Sequence, residues 1–406
     1  MLVSLSLTLA MLAPGPLRRV QERETFARVD PYTKNDPEKV EKAGYASLGP
    51  FRFGDDHTTE EVQKALEGVP LVWVETQHFK LGSGLPEYEL PGDKIEKKRI
   101  QEELERLGKR LPDVKARTRS LDPWLRMHLF AQRLEETYAE FLARFGLKES
   151  DFPTVPQDPS KSGDQSYMGQ GRYLGMASKY TVLLFDRKQD LARYATVFLG
   201  GKSGDGPLQG QFAAVGSLYL ATAAELMEGE YHNDSALCVS VIRGIAQNFS
   251  RGFRGTDVEL PFAWTEGVGH WFSRRFDPRF HFFSGPDPAR NRITDQWNWA
   301  VGVRERVERK VFPTTEAMLG WTATDELEWA DHLVLWSRID YLMTLDDGSA
   351  QKVLRQLKEP LAPGESLDAE RLGNRARDAF RSGTGVELDE LDARWAEWVL
   401  KTYPKP

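Results

Sequence analysis

The sequence predicts an α+β fold: strands and helices intermixed first, then a helical half. Two observations carry this. The short β-prone runs all fall before residue 221, at 71–79, 180–185 and 217–220, whereas helix-periodic runs dominate from Ser235 onward. No internal repeat of fixed period is visible, which excludes solenoids and propellers. The 406 residues are 40% hydrophobic and 28% charged, with 11 Trp and 21 Phe, enough for a sizeable core and unlike a disordered chain.

The elements are justified in chain order. Residues 2–13 are an apolar run followed by Pro14-Gly15-Pro16 and Arg18-Arg19. That length suits the core of a secretory signal and falls short of the roughly 20 residues that span a bilayer. Residues 1–19 therefore read as a signal peptide, and the protein as secreted or periplasmic. Only Met1 precedes the run where a signal carries Lys or Arg, which leaves an upstream start or no export as alternatives. No other stretch is apolar enough to cross a membrane, so the processed chain is expected not to be an integral membrane protein.

Residues 20–118 read as an N-terminal extension. Asp30-Pro31, Asp36-Pro37 and Gly49-Pro50 punctuate its first part. Thr58-Thr59-Glu60-Glu61 is a capping box opening a helix through Leu66. Residues 71–79 alternate as a single strand, and 94–110 are so charged that they read as a solvated helix. Asp122-Pro123 then caps and starts a long helix. Its core stripe runs through Met127, Phe130, Leu134, Tyr138, Phe141 and Phe145, and Gly146 ends it. A Pro/Gly/Ser-rich connection over 147–175 leads to a strand at 180–185, a helix at 188–199 and a short strand at 217–220. Later helices are clearest at 326–343 and 388–401.

Several function classes are excluded. Asp and Glu outnumber Lys and Arg, 61 to 54, for a net charge of −7, so no nucleic-acid partner is expected. The single Cys238 rules out an internal disulfide, a zinc ribbon and an iron–sulfur site. Gly201-Lys202-Ser203 mimics a phosphate loop, but Thr196 stands where its first glycine belongs. Gly169-Gln170-Gly171 with Gly175 has the wrong spacing for a dinucleotide fingerprint. No two of the seven histidines are four apart, so no H-E-x-x-H zinc pair exists, and no G-x-S-x-G elbow is present. His78 and His128 read as structural histidines.

The informative region is 235–276. Leu237, Val241, Ile245, Phe249 and Phe253 form an i, i+4 ladder, while Arg243 and Gln247 share another face of the same helix. Leu260-Pro261 should start a second helix with Glu266 in its first turns. The run Leu260-Pro261-Phe262-Ala263-Trp264-Thr265-Glu266-Gly267, followed by Val268-Gly269-His270-Trp271-Phe272, resembles the third-ligand segment of gluzincin metallopeptidases of the peptidase-MA-like kind. The resemblance covers roughly 120–402 and assigns 119–402 to such a domain. It implies a zincin-like fold, a small mixed sheet plus active-site helices. Residues 180–185 are similar to its first core strand, 216–220 to the edge strand over its cleft, and Trp395-Ala396-Glu397-Trp398-Val399 to its last helix.

In that family two His bind zinc, the glutamate is the third ligand, and a Glu beside the first His activates water. The corresponding positions here hold Arg243 and Gln247, with Gly244 at the general-base position. Arginine has no lone pair for a metal and stays protonated. The resemblance therefore implies a non-catalytic pseudopeptidase with no cofactor, a peptide- or cell-surface-polymer-binding or structural module. Arg243 is expected to stand in for the metal and pair with Glu266. The alternative is an active hydrolase. It would be either a metal enzyme drawing on Glu266, His270 and His232, or a carboxylate-based glycosidase using Glu266 near Asp295-Gln296-Trp297-Asn298-Trp299.

Overall fold

The computed structural model describes residues 29–160, 166–201, 204–282, 298–322, 327–345, 347–362 and 364–406. Residues 1–19, read as a signal peptide, lie outside these, as do Lys202, Ser203, Asp295, Gln296 and Trp297.

The α+β class is observed, with a small mixed sheet and a helical C-terminal half. Strands β1 (Val72–Glu75) and β2 (Phe79–Ser83) come early in the chain. A two-stranded ribbon comes next, β3 (Tyr88–Glu89) with β4 (Ser120–Leu121). Strands β5 (Tyr180–Phe185), β6 (Leu208–Phe212) and β7 (Ser217–Ala223) complete the set. The five-stranded sheet runs β1-β2-β5-β7-β6, with β2, β5 and β7 parallel and the two outer strands antiparallel to their neighbours.

Three expectations change here. Residues 71–79 do not form one strand. The amide of Thr76 donates to the carbonyl of Phe79 at 2.9 Å, and the amide of Phe79 donates to Thr76 Oγ1 at 3.1 Å, closing a tight turn that folds the run into the β1–β2 hairpin. The edge over the cleft is β6, not 216–220, because β7 has neighbours on both sides. Finally, β2 pairs with β5 from Phe79↔Tyr180 to Ser83↔Leu184, so the segment read as an extension shares one sheet with the strands of the second segment.

Helices cover this sheet and build the second half. The first are α1 (Pro37–Lys42), α2 (Thr59–Ala65), α3 (Lys94–Gly108) and α4 (Pro123–Arg144). The capping box at Thr58 and Glu61 is formed, and Asp122 caps α4 ahead of Pro123 as read. The core stripe of α4 is buried throughout. α3 is less solvated than its charges suggest. Ile100, Leu104 and Leu107 are buried, and so is Glu103, whose carboxylate takes Arg133 Nε and Nη2 at 3.1 and 2.7 Å.

Next come α5 (Lys188–Phe198), α6 (Asp234–Gly252) and α7 (Phe262–Phe276). Arg133 also reaches Asp234 at the start of α6, at 2.7 Å, and Arg126 joins it at 3.2 Å. This buried ionic knot ties α3, α4 and α6 together, and pairing is what makes burial of its charges tolerable.

The remaining helices are α8 (Trp299–Arg309), α9 (Thr315–Met318), α10 (Trp329–Thr344), α11 (Ser349–Leu357), α12 (Ala369–Thr384) and α13 (Leu388–Thr402). Trp395 on α13 is fully buried, donates from Nε1 to Ser337 Oγ at 3.0 Å, and lies under the Arg338 guanidinium. Among the described residues no helix is long and apolar enough to cross a membrane.

Candidate functional site

α6 and α7 are the structural heart of the site. Asn233 caps α6, and its ladder from Leu237 to Phe249 is buried. α7 begins directly after Pro261, without a capping side chain. The two helices approach closely because Gly269 has no side chain. A Cβ there would stand 3.0 Å from Arg243 Cγ and 3.1 Å from Gln247 Cγ. Gly267, two residues earlier, does the same against α10, where a Cβ would lie 2.6 Å from Ile339 Cγ1.

Across this contact Arg243 Nη2 donates to Glu266 Oε2 at 2.5 Å, and Gln247 Nε2 donates to Oε1 at 2.9 Å. Glu266 is 3% exposed and Arg243 9%. A carboxylate that far from water needs a cation and donors on both oxygens, and it has them. The three residues singled out in the sequence therefore meet. Arginine and an amide cannot replace two imidazole ligands, so the zinc arrangement of the working members of the family that the sequence resembles does not fit these residues.

Gly244 also serves packing. Gln209 Nε2 on β6 donates to its carbonyl at 2.7 Å, and a Cβ at 244 would meet that same nitrogen at 3.1 Å and Leu220 Cδ1 at 3.0 Å. The space over its α-carbon is thus taken by an amide from the sheet edge.

Behind Glu266 lies a histidine pair. His270, one turn along α7, places Nε2 3.0 Å from Nδ1 of His332 on α10, and the two nitrogens lie 3.7 and 3.9 Å from Glu266 Oε2. Burial holds the His270 imidazole well below its ordinary pKa, helped by the neighbouring His332, Arg243 and Arg274, so it is neutral. Burial and Arg274 likewise push His281 down to about 4. Arg274 itself stacks 3.9 Å over the fully buried Trp299 ring, which packs edge-on to His270.

His232 does not join this group. It is exposed at the mouth of α6, with Nδ1 at 3.0 Å from the Ala224 carbonyl, while Asp234 is committed to Arg126 and Arg133. The histidine that converges with Glu266 and His270 is His332, 62 positions beyond His270 on another helix, where no spacing rule could find it. Trp299, from the run offered for a glycosidase, is core. His78 and His128 are structural: His78 bridges Glu135 and Glu149, and His128 joins Tyr45 to Asp30.

Glu266 and Gln247 border a cleft of about 640 Å³. Gln209 and Gln211 of β6 form one wall, and Leu260, Phe262 and Trp321 contribute apolar surface. The α6–α7 connection beside it is held by a residue that sequence reasoning passed over. Lys358 is buried and donates from Nζ to the carbonyls of Arg251, Gly255 and Val258 at 2.9, 2.7 and 2.7 Å. Burial draws its pKa down to about 7, while Asp257 favours the ammonium. No protein-family model matches the chain, and no curated protein matches it.

Proposed function

We propose that this protein is a gluzincin-like pseudopeptidase, exported, whose cleft binds an extended peptide or polymer without cleaving it. The observation that carries the reading is the Arg243–Glu266 pair. The residue at the position of the first zinc ligand supplies a fixed positive charge to the residue at the position of the third, at 2.5 Å. Gln247, at the position of the second ligand, bonds the other oxygen. With the base position occupied by glycine, nothing there activates water in the manner of that family.

Binding is supported by the sheet edge. Among the described residues β6 pairs only with β7, and its side chains Gln209 and Gln211 line the cleft. An extended chain can add to such an edge through backbone hydrogen bonds. Export rests on the apolar run at 2–13.

The test uses reduced, unfolded casein as the probe. The purified protein is expected to bind it saturably, to leave it intact with or without added zinc, and to lose binding in Gln209→Pro, which removes a backbone N–H of β6. Hydrolysis that disappears in Glu266→Gln would overturn the reading, as would binding indifferent to Gln209→Pro. Residues 1–19 fused to a reporter active only outside the cytoplasm test export.

A further inference from the structure

We propose that Glu266, His270 and His332 form a site for a zinc-class transition-metal ion, and that Arg243 is its built-in competitor. This goes beyond peptide binding and shares only Glu266 with the ligand set of the family that the sequence resembles, both imidazoles coming from other positions.

Geometry carries the assignment. The separations of His270 Nε2, His332 Nδ1 and Glu266 Oε2 are 3.0, 3.7 and 3.9 Å. Three atoms so spaced lie about 2.1 Å from a common centre, the length of a zinc–imidazole or zinc–carboxylate bond. Two imidazoles and one carboxylate select zinc, cobalt or nickel over the oxygen-seeking magnesium and calcium. Three helical positions build the set: Glu266 and His270 stand one turn apart on α7, and His332 enters from α10 across the contact that Gly267 permits. All three are buried, where few other groups could compete for the ion.

The competitor is equally specific. Arg243 Nη2 contacts Glu266 Oε2, the same oxygen that faces both histidines. A guanidinium and a divalent cation on one oxygen repel each other strongly in a buried setting. Gln247 holds Oε1, so the carboxylate cannot simply turn its other oxygen to the metal. The wild-type protein is therefore expected to hold zinc weakly, and a neutral residue at 243 to hold it well. For both imidazoles to bind, no hydrogen can remain between Nε2 and Nδ1: the ring that donates there must turn a lone pair to the metal and carry its proton on its other nitrogen.

Zinc alone is the probe, titrated against a chromophoric chelator, with cobalt(II) absorption as the second readout. Arg243→Met is expected to bind one zinc per chain at least tenfold more tightly than wild type. Arg243→Lys, which keeps the charge, should resemble wild type. Adding His332→Ala to Arg243→Met should abolish the gain. Zinc affinity unchanged in Arg243→Met, or a gain that survives His332→Ala, overturns the proposal. If Arg243→Met does not fold, wild type at millimolar cobalt decides the matter. Visible bands lost in His332→Ala support the site, and no bands overturn it. The readout is occupancy, so failure here leaves the casein-binding reading standing.

Discussion

Gln209 on the sheet edge and Gly244 on α6 are joined by a hydrogen bond from the side-chain amide to the backbone carbonyl at 2.7 Å, and the bare α-carbon of Gly244 makes room for it. A larger side chain at 244 therefore has no free space to enter. Gly244→Glu is expected to push Gln209 and Leu220 aside and cost about 1–3 kcal/mol. Urea denaturation measures the loss, and hydrogen exchange should show faster exchange in β6.

Breaking the central ion pair from one side should be worse than removing both charges. Glu266→Gln leaves the Arg243 guanidinium short of its counter-charge and is expected to cost about 3–5 kcal/mol. Arg243→Met with Glu266→Gln should recover part of that. A double-mutant cycle in urea gives the coupling, and strict additivity of the two changes would refute it.

Lys358→Met retains volume and discards three hydrogen bonds to the α6–α7 connection. The variant is expected to lose about 3 kcal/mol, since three carbonyls, those of Gly255 and Val258 buried, would be left without the donor they share. Exchange of amides at 252–258 should accelerate more than that of α4. Equal acceleration throughout would show that Lys358 acts on the whole fold and not on the cleft wall.

Asp234 makes acid stability predictable in sign. Arg133 and Arg126 outweigh burial and hold its carboxyl below the ordinary value of 3.8. Its contribution is thus complete above the unfolded value and fades as pH falls through the lower, folded one. Asp234→Asn is expected to be about 3 kcal/mol less stable than wild type at pH 7. The gap should narrow only below about pH 3.8, where protonated Asp234 comes to resemble the amide. A gap that narrows already between pH 7 and 5 would contradict this.

The elements that are legible in the sequence are those whose signals are local. α4 announces itself through Asp122-Pro123 and an apolar stripe, and α6 through its i, i+4 ladder. Because α6 and α7 are joined by a short connection, the meeting of Arg243 with Glu266 is also within reach. The features that escape depend on distant partners. β6 reads Leu-Gln-Gly-Gln-Phe, too polar to signal a strand, and is held by β7. The turn at Thr76–His78 is stabilised by Glu135 from α4, which accepts from Thr76 Oγ1 at 2.5 Å and from the amide of His78 at 2.9 Å. Glu103 reads as solvated because its partner Arg133 sits 30 positions away, on another helix, and His332 bears no helical spacing to Glu266.

The pairing of β2 with β5 bears on how the chain must be made. On the ribosome the β1–β2 hairpin emerges about a hundred residues before the strand that completes it, with α4 and a long connection between. Until Tyr180–Phe185 emerges, one side of that hairpin offers open backbone groups to any passing strand. Slow translation across 147–175 would prolong that exposure. The nascent protein should therefore depend on chaperones that shield unpaired strand edges more than its helical second half would suggest.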